Sequence, residues 1–267
     1  MSQKEKKEEK EKDLTALYIG GPTALFEWGG FRLLTDPTFD EPGCEYKNGP
    51  VVLEKTAGPA VSSDSLGPVD VVLLSHDHHF DNLDHAGRQY LAQAKRVITT
   101  TEGAARLAGN AIGLLPWQSV NIPGNDGQVL RVTGTPAQHG PAHNNRGPVT
   151  GFVASLADEP DRAIYFSGDT VWFDGVAEAA RRFPVQTAVL FMGAATVPAV
   201  GPFALTMTAE DGVQAARAFS QATIVPVHFE DWKHFSESRK VISRGFRAAG
   251  IEGRLRWMQR GTRQTIS

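Results

Sequence analysis

Cysteine is almost absent from this chain: Cys44 is the single one among 267 residues. No intramolecular disulfide can form, so the fold must rest on its core. A lone thiol fits a reducing compartment, and the chain is expected to be cytoplasmic. No apolar run approaches the roughly 20 residues that cross a bilayer, and the start lacks the basic, apolar, small-residue succession of a secretory signal. Strong charge of one sign is missing too. A net charge of −3 gives no reason to expect nucleic acid as a partner. There is no repeat at a fixed short period. Nor is there a convincing nucleophile, since Cys44 sits in a Gly- and Pro-flanked loop.

What is present can build a sizeable core. With 41% apolar residues, the chain is long enough for one domain or a compact internal duplication. Residues 1–13 form a Lys/Glu run with no apolar residue after Met1, and are expected to be a disordered charged tail. Residues 14–267 are expected to form a single domain. Short β segments are expected over Leu14 to Glu27 and Phe31 to Asp36. Phe39 to Pro68, rich in Gly, Pro and Ser, reads as a long loop suited to a lid. Helices are expected over Asp84 to Gln93, Glu102 to Leu107, Phe173 to Phe183, Thr208 to Phe219 and Glu237 to Ala249. The fourth opens on a Thr208–Asp211 capping box. Strands are expected at Arg96 to Thr100, near Val120, at Val129 to Thr135, Thr150 to Ser155 and Thr187 to Met192, with Arg254 to Met258 closing the chain.

The densest chemistry follows the apolar run Val69 to Leu74. In Ser75-His76-Asp77-His78-His79-Phe80-Asp81-Asn82-Leu83-Asp84, three histidines and three aspartates fall within nine residues. Imidazole and carboxylate together bind borderline and hard divalent metals. Three more β-type segments end in a metal-type residue: Leu130 to Gln138 before His139, Ala163 to Gly168 before Asp169, and Ala222 to Val227 before His228. A lone histidine after a strand is usually without function. Four such endings in order point to one metal centre at a sheet edge.

These segments resemble the metallo-β-lactamase superfamily of metal-dependent hydrolases. More narrowly, they are similar to the branch of L-ascorbate-6-phosphate lactonase and N-acyl-phosphatidylethanolamine phospholipase D. Ala16 to Glu27 resembles that branch's first hairpin, and Gly29 to Pro37 its second, ending in Thr-Asp-Pro. Ser75 to Asp84 resembles its His-x-His-x-Asp-His-Leu-Asp motif, Ser167-Gly168-Asp169-Thr170 its Gly-Asp-Thr, and Pro226-Val227-His228-Phe229 its final histidine. The resemblance spans roughly Leu14 to the end. It implies an α/β fold, a four-layered αβ/βα sandwich (the metallo-β-lactamase fold).

Two departures stand out. Seven residues separate Ser75 from Leu83 where the family has six. Counting forward makes His78 the second histidine; counting back from Asn82-Leu83-Asp84 makes it His79, with a one-residue bulge absorbing the difference. The downstream register favours His79, leaving His78 as the alternative ligand. Asn82 stands where the family has a histidine of its second metal position. An amide is a weaker ligand than imidazole, and asparagine also caps helices well.

The resemblance implies that His76, His79 and His139 hold the first metal, with Asp81 and His228 at the second position and Asp169 bridging. The metal is expected to be zinc, as one or two ions, with manganese or iron as alternatives. It activates a water, and if only one metal binds, Asp81 is free to orient that water or to accept its proton as the catalytic base. Asp36 and Asp84 look like carboxylates that orient the ligand imidazoles, or else serve turns and caps. Arg146, Phe203, Trp232 and His234 are candidates for the substrate pocket, Arg146 suiting an anionic group.

The leading expectation is hydrolysis of an ester, lactone or phosphodiester bond in a small-molecule substrate. The alternatives are an iron-dependent oxidoreductase on the same fold and a non-catalytic metal-binding module. Association into a homo-oligomer is left open.

Overall fold

The computed structural model describes residues 13–266. The charged run at 1–13 therefore lies outside the described residues, apart from Asp13. The chain opens with the strands β1 (Thr15–Gly20), β2 (Thr23–Trp28) and β3 (Phe31–Thr35). A small hairpin follows, β4 (Glu45–Asn48) and β5 (Val51–Glu54), then the one-turn helix α1 (Ser63–Leu66). Next come β6 (Val69–Leu73), α2 (His85–Tyr90), β7 (Ala94–Thr99), α3 (Thr101–Leu107) and β8 (Ala111–Gly113).

The second half contains β9 (Ser119–Pro123), β10 (Val129–Pro136), β11 (Thr150–Leu156) and β12 (Ala163–Phe166). Helix α4 (Asp174–Arg182) leads to β13 (Val185–Phe191), α5 (Ala209–Ala218) to β14 (Thr223–Val227), and α6 (Arg239–Ala248) to the edge strand β15 (Arg263–Thr265).

One sheet has the order β15-β1-β2-β3-β6-β7-β8 and the other β14-β13-β12-β11-β10-β9. Their facing sides share one buried cluster, including Phe26, Leu33, Val71 and Leu73 from the first sheet and Val132, Phe152, Phe166 and Val189 from the second. The opposite face of the first sheet packs Leu25, Leu34 and Val72 against Leu66 of α1 and Tyr90 of α2. The opposite face of the second packs Tyr165, Leu190 and Ile224 against α4, α5 and α6 through Val176, Val213 and Phe246. Helix, sheet, sheet and helix thus form four layers, the sandwich expected from sequence. Strands buried on both faces carry apolar residues at successive positions rather than alternating ones, which explains the apolar runs of β6, β12 and β14.

Strands β3, β6, β7 and β8 are parallel neighbours. Strand β12 is parallel to β13 and β13 to β14, while β11 runs antiparallel to both β10 and β12. Strands β10, β12 and β14 therefore point the same way, and their C-terminal ends share one edge of the second sheet.

The Thr208–Asp211 capping box is present. Three expectations need correction. Phe39 to Pro68 is not an unbroken loop, since it holds β4, β5 and α1. The short strand β8 is not among the expected strands. Arg254 to Met258 is not the closing strand: a 3₁₀ turn spans Glu252–Arg254, and Leu255 makes only an isolated bridge to Ile224. Arg254 instead donates to the carbonyls of Ala216, Phe219 and Ala222, at and just beyond the end of α5. The closing edge strand is β15, beside β1.

Candidate metal centre

Three imidazoles converge where β6 and β10 end. His76 Nε2 lies 2.9 Å from His79 Nδ1, and His139 Nε2 lies 3.2 Å from the same atom. His139 donates from Nδ1 to the Leu205 carbonyl at 2.9 Å, which leaves Nε2 facing the cluster. His76 Nδ1 contacts Ser75 Oγ at 2.9 Å, which aims Nε2 inward. One proton on His79 Nδ1 cannot serve both neighbours well. A cation between the three nitrogens satisfies all of them.

His78 Nε2 donates to the Arg146 carbonyl at 3.1 Å, while His76, His78 and His79 also offer ligand atoms within 4.8 Å of one another. The extra residue of this segment is taken up by a bend beyond the end of β6, not by a bulge in a strand ladder. Two contacts pin the bend. Asp77 takes a charge-assisted pair from Arg106, and the Asn82 and Leu83 amides donate back to the His79 carbonyl.

A second group joins these imidazoles through Asp169, whose Oδ2 is 3.6 Å from His139 Nε2. His228 Nδ1 lies 2.9 Å from Asp169 Oδ1, and its Nε2 lies 3.6 Å from Asp81 Oδ2. His234 Nε2 reaches the same Asp81 oxygen at 3.0 Å. Asn82 Nδ2 donates to Asp169 Oδ1 at 3.2 Å and to Asp36 Oδ2 at 3.3 Å. Both Asp36 and His228 hold positive φ, 22° and 58°. Non-glycine residues tolerate that conformation only where the surroundings enforce it.

Electrostatically the two groups are opposites. Burial, reinforced by the neighbouring rings, depresses His76 well below the usual imidazole range and brings His79 to about 3. Both rings are therefore neutral near pH 7, as metal ligation requires. In the carboxylate group, burial alone would raise Asp81 and Asp169. Their imidazole partners overcome it and hold both below the usual range, while burial of His228 is outweighed by Asp169, which raises it. The pair of carboxylates thus attracts a positive charge. Asp36 is pushed up to about 8 by burial, with Asp169 adding to the effect against the Ser75 amide.

The donor set fits a divalent ion. Asp169 Oδ2 and Asn82 Oδ1 are buried without hydrogen-bond partners, and the two His228 ring nitrogens face only the Asp169 and Asp81 carboxylates. Unpaired buried polar atoms are costly, and here they surround the point where the imidazole and carboxylate groups meet. His76, His139 and Asp169 form one group with ligand atoms within 4.8 Å of one another, and Asp81, Asp169 and His228 form another.

A family model described as "Beta-lactamase superfamily domain" matches residues 31–229, well over half of the chain. The chain belongs to the metallo-β-lactamase superfamily. Within that family it is a metal-dependent hydrolase, with a divalent metal as its cofactor. A metal-dependent hydrolase from Pyrobaculum aerophilum is 25% identical, over 85% of this chain and 92% of the relative. An isothiocyanate hydrolase from Delia radicum gut bacteria has a TM-score of 0.78 at 25% identity, covering 95% of this chain and 99% of that one. A possible metal-dependent hydrolase from Veillonella parvula has a TM-score of 0.80 at 21% identity, with the same coverage. No helix among the described residues is long and apolar enough to cross a membrane.

The superfamily centre opens onto a cavity of about 350 Å³, whose walls include Tyr46, Val51, Leu53, His78, His79, Phe80 and Arg146. A narrower space of about 40 Å³ continues to Asp81, His139 and His234. The hairpin β4–β5 therefore walls the site, in the position expected of a lid. Arg146 and His234 face these spaces. Phe203 and Trp232 do not: Phe203 packs edge-on against His143, and Trp232 is buried against Tyr46 and beneath Lys55.

Asp84 does not orient an imidazole either. Its carboxylate caps α2 at Gly87 N, accepts from the Phe39 and Asp40 amides, and pairs with Lys55 Nζ at 2.8 Å. That is the capping alternative, with a buried lysine added. Asp36 acts at one remove, through the Ser75 amide at 2.6 Å and through Asn82. Ser75 and Lys55 carried no sequence signal, because each depends on a partner distant in the chain or on a backbone turn.

Proposed function

We propose that this chain hydrolyses an ester, lactone or phosphodiester bond of a small metabolite, with zinc as the metal, in one or two ions. The supporting observation is the convergence of His76, His79 and His139 nitrogens, with Asp169 beside them, at the inner end of an open cavity. A divalent ion held there supplies Lewis acidity, lowering the pKa of a bound water and polarising the substrate oxygen. His76, His79 and His139 hold the ion. Where a single ion binds, Asp81, kept ionised by His228 and His234, would be free to accept the water's proton. Asp36 steadies this arrangement through Ser75 and Asn82. Tyr46, Val51 and Leu53 receive an apolar portion of the substrate, and Arg146 receives an anionic one.

A lone arginine on an apolar wall favours a carbonyl-type electrophile over a phosphodiester. A second reading, an isothiocyanate, shares that preference and is favoured by the near full-length likeness to the Delia radicum gut-bacterial enzyme. A panel of lactones, aryl esters, phosphodiesters and an arylalkyl isothiocyanate, assayed on zinc-loaded protein, tests both. Turnover of phosphodiesters alone would overturn the carbonyl preference. Turnover of none, with metal bound, would overturn the reading.

A further inference from the structure

The carboxylate half of the centre has only one imidazole, His228, within its group. Asn82, buried between the two halves, spends its amino group on Asp36 and Asp169 and leaves Oδ1 unpartnered. On the other side of Asp81 stands His234, with a side chain only 8% exposed and Nε2 at 3.0 Å from Asp81 Oδ2. Its Nδ1 is buried and has no hydrogen-bond partner. An imidazole that shares a carboxylate oxygen with His228 and has no other polar contact is well suited to a metal.

The backbone around His234 is unusually well fixed for a loop. Lys55 forms an isolated antiparallel bridge with Trp232, and the Lys233 amide donates to the Glu54 carbonyl at 3.0 Å. The Thr196 amide donates to the His234 carbonyl at 2.8 Å, and Ala195 bridges Phe235. Lys55, in turn, is tied to Asp84 just beyond the histidine motif. His234 is thus carried by a segment stitched to the hairpin on one side and to the strand-end loop after β13 on the other. Ligands need that kind of support.

We infer that His234 is a ligand of the second metal position, completing a set of two carboxylates and two imidazoles with Asp81, Asp169 and His228. This rests on the hydrolase reading and adds a ligand to it. The hairpin that walls the substrate cavity then shares its framework with a metal ligand.

The test is a zinc titration of the full, chelated chain, read by calorimetry and element analysis, for wild type, His234→Ala and His234→Gln. Wild type is expected to bind two equivalents. Both variants are expected to keep the first and to lose more than about 100-fold in affinity for the second. That exceeds the roughly 10–100-fold that loss of an outer supporting partner costs. Glutamine keeps a hydrogen bond to Asp81 in reach, so a glutamine variant with wild-type affinity would make His234 a positioning residue and overturn the assignment. A wild type saturating at one equivalent, or an alanine variant retaining two, would also overturn it while leaving the first position intact. No zinc bound by any form would overturn the hydrolase reading as well.

Discussion

His76 Nε2 and His79 Nδ1 stand 2.9 Å apart with their rings nearly perpendicular, at 89°. Two basic nitrogens so close in a largely dry site resist protonation, because a first proton on either ring repels a second. That relation makes the pair ready for a cation and sensitive to acid.

The acid sensitivity has a definite sign. Burial first, and the neighbouring rings second, bring His79 to about 3 in the folded metal-free chain, from 6.5. Between those values the unfolded chain holds a proton that the folded chain does not, so stability falls as pH drops from about 6.5 toward about 3. Each such proton contributes up to about 1.4 kcal/mol per pH unit. Urea unfolding of chelated protein from pH 7 to pH 4 should show this slope, and His79→Gln should reduce it by up to one proton. An unchanged slope in the variant would contradict it.

Lys55 and Asp84 form a deeply buried ion pair, 3% and 0% exposed, at 2.8 Å. Replacing Lys55 with Met leaves the Asp84 carboxylate in the interior without its cation. The expected loss is about 3–5 kcal/mol, read as a lower urea midpoint. The hairpin should also become more open to proteolysis, because Lys55 anchors its base. A loss under about 1 kcal/mol would mean that the three backbone amides on Asp84 suffice.

The strand ends were legible because β6, β12 and β14 are apolar runs that give way to polar residues, and β10 is a β-type segment shortly before His139. His139, Asp169 and His228 stand out for that reason alone. The sequence preference for His79 over His78 rests on the register of Asn82-Leu83-Asp84, and both rings sit on a bend held by the Asp77–Arg106 pair. What could not be read was long-range. Lys55 meets Asp84 across 29 positions and His234 meets Asp81 across 153, and no local pattern marks either. Asp84 looked like a partner of histidine because it follows the motif, whereas its helix start and the strap at Phe39 and Asp40 claim all its oxygens. The β4–β5 hairpin hid in a stretch whose Gly and Pro content reads as loop.

Gly168, just before Asp169, has φ of +59°, and a Cβ there would lie 2.9 Å from Ser75 Cβ and against the Thr150 carbonyl. Gly168→Ala must accept a left-handed backbone, at about 1–2 kcal/mol, and also displace a backbone carbonyl. We expect a clear drop in melting temperature and weaker metal binding, since Asp169 moves with its neighbour. A fully stable variant with normal metal content would show that the strap tolerates the shift.

Arg146 lines the cavity, and its contacts to His78 and His139 run through its own backbone, which a side-chain truncation keeps. Arg146→Ala should raise KM for anionic substrates about 10-fold or more, in line with the 1.5–3 kcal/mol of a charge-assisted hydrogen bond, and leave kcat nearly unchanged. Neutral substrates should be little affected. An equal effect on both kinds would assign Arg146 to holding the wall.

The most direct measurement is element-resolved metal content of protein purified without added metal, before and after chelation, for wild type and His139→Ala. Wild type should carry at least one equivalent of a divalent metal, lose its activity on chelation and regain it on reloading. His139→Ala should remain folded and hold far less. A wild type that neither carries nor takes up metal, or a His139→Ala chain with undiminished content, would contradict a metal centre built on these three histidines.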